Sequence, residues 1–304
     1  MDFIRPFFEG KNRFTQTLFL LLFVVAGAIV FTALGQLIVS GIYHTTNMYE
    51  ASSPSNYVRI TQTFASIGMF LIPALMFAYC QDKQWWNYNE ANRKPHHLLV
   101  NAALVLSIVV LPLVAILSQW NEAIPFPEKM ATWMHSMEDQ SKLVLHLLTV
   151  DHSTNTLLLN LFTLALVPAV CEEFMFQGTI QTLITKWSAK PHLAIWITAV
   201  IFSAIHLEFY GFIPRMLLGA YLGYLLYWSG SLWLPILAHF LHNALTVLVD
   251  YTFQGRGIDL DNMRFSDIHG AMPIIIGCTL VTAMSLVFMW RVQRDIKEGA
   301  LKKK

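Results

Sequence analysis

Ala169-Val170-Cys171-Glu172-Glu173-Phe174-Met175-Phe176-Gln177-Gly178 sets two adjacent carboxylates inside an apolar run that extends from Thr156 to Ile184. A run of that length reads as a membrane-spanning helix rather than a core helix. An ionised Asp at the centre of such a helix costs about 2.5–3.5 kcal/mol on insertion scales, and neighbouring carboxylates repel each other as well. A chain that keeps both is expected to supply partners from other helices, so the pair is a functional-site hypothesis by default.

The rest of the composition agrees with a membrane setting. The 304 residues are 55% hydrophobic and only 13% charged, with a mean hydropathy of +0.50; soluble domains carry about 25% charged residues. The fold class expected is therefore all-α, a polytopic transmembrane helical bundle forming a single integral membrane domain over 1–304. A net charge of +1 and the lack of a basic patch interleaved with aromatics exclude a nucleic-acid partner. Cys80, Cys171 and Cys278 are far apart and odd in number, which supports neither a disulfide framework nor a cysteine zinc site.

About eight spans are expected, at roughly 20 apolar residues each: 14–43, 58–80, 97–118, 156–184, 191–206, 214–228, 232–249 and 270–291. The first begins after Arg5, Lys11 and Arg13, and is too long for the apolar part of a signal peptide. Lys and Arg cluster in alternate loops: ahead of the first span, at Lys83, Arg93 and Lys94, at Lys186 and Lys190, and from Arg291 through Arg294, Lys297 and Lys302–Lys304. The opposite loops are poorer in cations or balanced by acid, as where Arg256 and Arg264 stand among Asp250, Asp259, Asp261 and Asp267. Both termini are accordingly expected on the cytoplasmic side, which an even number of spans requires. Lys94-Pro95-His96 and Lys190-Pro191-His192 look alike, but Pro opening a helix after basic cytoplasmic residues explains both without an internal repeat.

The polar stretch 119–153 is expected to be an extracytoplasmic loop. Within it Met130, Trp133, Met134 and Met137 follow an i, i+3, i+4, i+7 pattern, that of an amphipathic helix resting on the membrane. Trp85 and Trp86 read as headgroup-level anchors.

Partners for the acidic pair stand in two later runs. Phe202-Ser203-Ala204-Ile205-His206 brings one imidazole, and His239-Phe240-Leu241-His242-Asn243 brings His239 and Asn243 on one helix face. Three hydrogen-bonding side chains in five positions of an apolar run require a buried polar environment. Glu172, Glu173, His206, His239 and Asn243 together supply what hydrolysis needs. A carboxylate shielded from water suits general acid–base work, imidazoles hold and polarise a water, and an amide donates to an oxyanion. The same set also suits a divalent metal held by carboxylate oxygen and imidazole nitrogen.

The order Glu-Glu-x-x-Phe-x-Gly, then Phe-x-x-x-His, then His-x-x-x-Asn, on three helices of a polytopic chain, resembles the CPBP group of intramembrane proteases, the type II CAAX prenyl proteases and their bacteriocin-processing and immunity relatives. The resemblance covers the core 156–249. It implies that Glu172 is the general base, assisted by His206, with His239 and Asn243 holding the water and stabilising the oxyanion and Glu173 in support. If a metal takes part, such as zinc, its ligands would be Glu172, His206 and His239; the sequence leaves the cofactor open. The expected partners are a membrane peptide or protein substrate and the lipid bilayer, and the expected location is a bacterial inner membrane. Gln177 departs from the family, which has Arg there; Gln keeps hydrogen-bond donors but no fixed charge. A non-catalytic immunity or scaffold protein of the same fold is therefore the alternative, and a proton-relay transporter a third reading. His-Glu-x-x-His and Gly-x-Ser-x-Gly signatures are missing. On straight helices the five residues would lie at different depths, so Pro168, Pro214 and Pro235 are candidate kinks.

Overall fold

The eight apolar segments are all helical in the computed structural model, which describes residues 7–82, 84–254 and 271–301. Arg5, Lys83, Arg256, Asp259, Asp261, Arg264, Asp267, Gly270 and Lys302–Lys304, which carry part of the orientation argument, lie outside the described residues. In chain order the helices are α1 (Arg13–Tyr43), α2 (Pro54–Gln81), α3 (His97–Val109), α4 (Leu111–Glu122), α5 (Glu128–Thr149), α6 (Thr154–Ser188), α7 (Pro191–Ala204), α8 (Phe212–Ser229), α9 (Trp233–Gln254) and α10 (Ala271–Lys297). Among the described residues there is no strand.

Six of these helices, α1, α2, α6, α8, α9 and α10, are long and apolar enough to cross a bilayer. The expectation of eight full spans is thus refined at two places. The third span is a bent pair, α3 and α4, meeting at 48°. Pro112, second residue of α4, cannot donate to the preceding turn and so breaks the helix. The fifth, α7, has 14 residues and stops at Ala204, short of the roughly 20 needed. α1 and α10 are apolar around most of their circumference and largely exposed, with Leu18, Leu22, Ile29, Met272, Ile276 and Leu280 all pointing outward. Such faces are stable only against lipid.

The centre of the bundle is α6, where every residue from Cys171 to Thr179 is buried. This helix widens into π-helical turns at Leu161–Leu166 and Phe176–Gln181, either side of the acidic pair. The first makes room for Pro168, which would otherwise collide with the carbonyl four residues back. The second is sealed by Thr179 and Thr182, whose hydroxyls donate to the carbonyls of Phe174 (2.9 Å) and Gln177 (3.2 Å). Of the other two expected kink sites neither bends a helix: Pro214 and Pro235 are each the third residue of their helices, where a missing N–H costs nothing. Pro191 does open α7, whereas Pro95 lies ahead of α3.

Around α6, Phe77 of α2, Phe202 of α7, Leu226 of α8 and Ile236 of α9 form one core with Phe174 and Phe176. Trp85 belongs to it too, 6.1 Å ring to ring from Phe174, so of the two expected headgroup anchors only Trp86 is exposed. α5 is helical where the apolar stripe predicts, with Met134 fully buried, Met137 half-buried, and Met130 and Trp133 exposed.

One buried cation ties three helices together. Arg59 of α2 donates through Nε and Nη2 to Oδ1 of Asn160 on α6, both at 3.0 Å, and through Nη2 to the carbonyl of Leu148 at the end of α5 (3.0 Å). Arg59→Met keeps the side chain's apolar stem and deletes these donors, so unfolding stability is expected to fall by about 2–3 kcal/mol. Chemical denaturation in mild detergent measures this; an unchanged midpoint would remove Arg59 from the framework.

Candidate active site

Glu172 and Glu173 are neighbours on α6 and therefore point about 100° apart. Glu173 is fully buried and accepts from Nδ1 of His239 on α9 at 2.8 Å. Glu172 turns instead into a cavity of about 460 Å³, lined also by Phe202, His206, Glu208, Arg215, His239, His242 and Asn243. Four of the five residues expected at the site, Glu172, His206, His239 and Asn243, thus face one space, and the fifth, Glu173, stands behind His239.

His206 lies just beyond the last turn of α7. Its Nδ1 is 2.7 Å from the carbonyl of Phe202. A carbonyl only accepts, so Nδ1 carries the proton and Nε2 is bare in the neutral ring. His239, with Nδ1–H given to Glu173, presents Nε2 in the same sense. Both Nε2 atoms stand 4.0 Å from Oε2 of Glu172. Three acceptor atoms therefore converge with no donor among them.

The apolar members of the three motifs shape this arrangement. Phe202 makes edge contacts with both imidazoles, at 5.1 Å from His206 and 6.0 Å from His239, and Phe176 packs edge-on against Phe202 at 5.1 Å. Phe202 thus touches both imidazoles that face Glu172. Gly178 lets α6 approach its neighbours, since a Cβ there would stand 3.3 Å from Leu232 and 3.4 Å from Asn89.

The donor chemistry would suit a metal ion, but the spacing does not. Tetrahedral zinc with bonds of about 2.0–2.1 Å holds its ligand atoms about 3.3–3.4 Å apart, and among the described residues no three His, Cys, Asp or Glu side chains group to hold a metal. Glu172, His206 and His239 as metal ligands, and with them a metalloprotease, are not supported.

Gln177 does not reach the cavity. It is fully buried against α8, where a Cβ on Gly223 would lie 3.4 Å from its Oε1. The cation of the cavity is Arg215, in an ion pair with Glu208. Sequence reading passed over both, although Arg215 is the single charge in the apolar helix Phe212–Ser229 and was a usable signal. His242 also lines the cavity, and its Nδ1 finds no partner among the described residues.

Residues 154–245 match the family model described as Rce1-like, type II CAAX prenyl endopeptidase. That stretch is under a third of the chain and holds all five expected site residues. The uncharacterized protein YpbD of Bacillus subtilis (strain 168) is 31% identical over 86 residues, which are 27% of this chain and 41% of that relative. The match therefore spans less than half of the relative's length. No solved structure matches the chain.

Proposed function

We propose, from the chain's membership through residues 154–245 of the Rce1-like family of type II CAAX prenyl endopeptidases, that it is an intramembrane endopeptidase that hydrolyses a peptide bond of a membrane-associated peptide. The observation that carries this reading is the pair of bare imidazole nitrogens, each 4.0 Å from the same carboxylate oxygen of Glu172. That gap is too long for a hydrogen bond and suits one bridging water, which at about 2.8 Å from two of the atoms subtends about 90°.

In the reaction, the water donates one O–H to Glu172 and the other to an imidazole, leaving an oxygen lone pair for the scissile carbonyl carbon. Glu172 takes the proton as the C–O bond forms. Negative charge moves to the carbonyl oxygen, where the Asn243 amide N–H donates to it. When the C–N bond breaks, the proton held by Glu172 passes to the leaving nitrogen, so the products are a new carboxyl end and a new amine end. Glu173 fixes the tautomer and orientation of His239 throughout, as a carboxylate behind a working imidazole does.

Cleavage of a membrane-anchored peptide by the purified protein in lipid nanodiscs, with both fragments identified by mass spectrometry, tests the assignment. Turnover is expected to change by less than about twofold with a strong chelator, because no step uses a metal; a loss restored by added zinc would overturn the carboxylate mechanism. Gln177 in the place of Arg favours one competing reading, a non-catalytic membrane scaffold. That reading requires no cleavage by the parent protein and membrane-protein binding that survives Glu172→Gln. For the setting, the alternating Lys and Arg loops support a multi-pass orientation with both termini cytoplasmic.

A further inference from the structure

His206 is aimed by a turn rather than by a helix. After α7 ends, Leu207 adopts φ +56°, the left-handed region that costs a non-glycine residue about 1–2 kcal/mol. Such strain persists only where surrounding contacts over-determine it.

Those contacts are all present between 203 and 215. Ser203 donates to the carbonyl of Phe212 at 2.7 Å. The Asn121 side chain, buried at the end of α4, donates to the carbonyls of Phe209 (2.8 Å) and Tyr210 (2.6 Å) and accepts from the N–H of Ile213 (3.1 Å). The Tyr210 hydroxyl meets Nε2 of His135 on α5 at 3.0 Å. The residue beside the strained one, Glu208, is held by Arg215 at both ends, and its main-chain carbonyl also accepts from the N–H of Gly211 at 3.3 Å. Nη2 pairs with its carboxylate, and Nη1 donates to its main-chain carbonyl at 3.2 Å. Gly211 leaves room for the guanidinium, since a Cβ there would sit 3.2 Å from Nη2.

We infer that the Arg215–Glu208 clamp is a positioning device for the reaction: it locks the left-handed turn at Leu207 so that Nε2 of His206 faces Glu172 across one water. This rests on the hydrolytic reading above. A planar fork that grips a side chain and its own backbone carbonyl fixes a turn more tightly than a point charge does. A displacement of about 1 Å at a working group costs about 100-fold in rate.

The test uses the full chain in lipid nanodiscs with Arg215→Gln, Glu208→Gln and the double variant. Each single change is expected to lower kcat about 10- to 100-fold with KM within about twofold, and the double variant to lose no more than the worse single. In a His206→Asn background neither change is expected to lower kcat further. Losses that multiply in that background, or that fall on KM alone, would overturn the inference. Hydrogen exchange of amides 205–211 supplies a readout independent of activity. It is expected to accelerate in Arg215→Gln while exchange in α6 and α9 stays as in the parent. Unchanged exchange at 205–211 overturns the clamp even if the parent shows no cleavage, whereas absent cleavage with accelerated exchange counts against the hydrolytic reading only.

Discussion

Glu172→Gln is expected to lower cleavage by about 100- to 10,000-fold while the protein still folds and inserts. General-base removal costs about 100- to 10,000-fold, and the amide cannot take the proton that leaves the water. Gln has nearly the shape of Glu, and the side chain opens on a cavity rather than gripping a neighbour, so little packing is lost. The measurement is single-turnover cleavage alongside thermal unfolding. Retained turnover would remove Glu172 from the chemistry, and a collapse of the fold would move it to the framework.

Glu173→Ala is expected to act differently, destabilising the bundle by about 3–5 kcal/mol, because it removes one partner of a buried pair and strands the other. The carboxylate is fully buried and bonded to His239 at 2.8 Å, with Phe202 packed edge-on against the imidazole. Glu173→Gln leaves an oxygen to accept from Nδ1–H and is expected to keep most of the stability while slowing cleavage, since a neutral amide orients the imidazole less firmly. Denaturant unfolding of the two variants measures the contrast. Equal stability for Ala and parent would mean that the pair does not hold α6 to α9.

How much of this was readable in advance follows from what burial costs. Glu172, Glu173, His206, His239 and Asn243 stood out because polar groups in apolar runs must be matched inside the membrane, and the structure brings them together. Arg215 was visible as the single charge of its apolar helix, but its pairing with Glu208 was not, because that contact depends on a turn whose shape comes from Asn121, almost a hundred residues earlier. Helix existence was legible from apolar length, but its regularity was not. The π-helical turns flanking the acidic pair answer to Pro168 and to threonine hydroxyls, and periodicity carries no mark of them. Pro214 and Pro235 misled for the same reason. A proline kinks a helix only from within, and where each helix begins was set by the turn before it.

The arrangement of three acceptors around one point can be measured directly in a high-resolution map of the protein in a lipid disc. A single ordered water is expected about 2.7–3.0 Å from Oε2 of Glu172 and from Nε2 of one of the two imidazoles, His206 or His239. A peak about 2.0–2.2 Å from all three, the distance of a bound metal, or imidazoles turned away from Glu172, would contradict it.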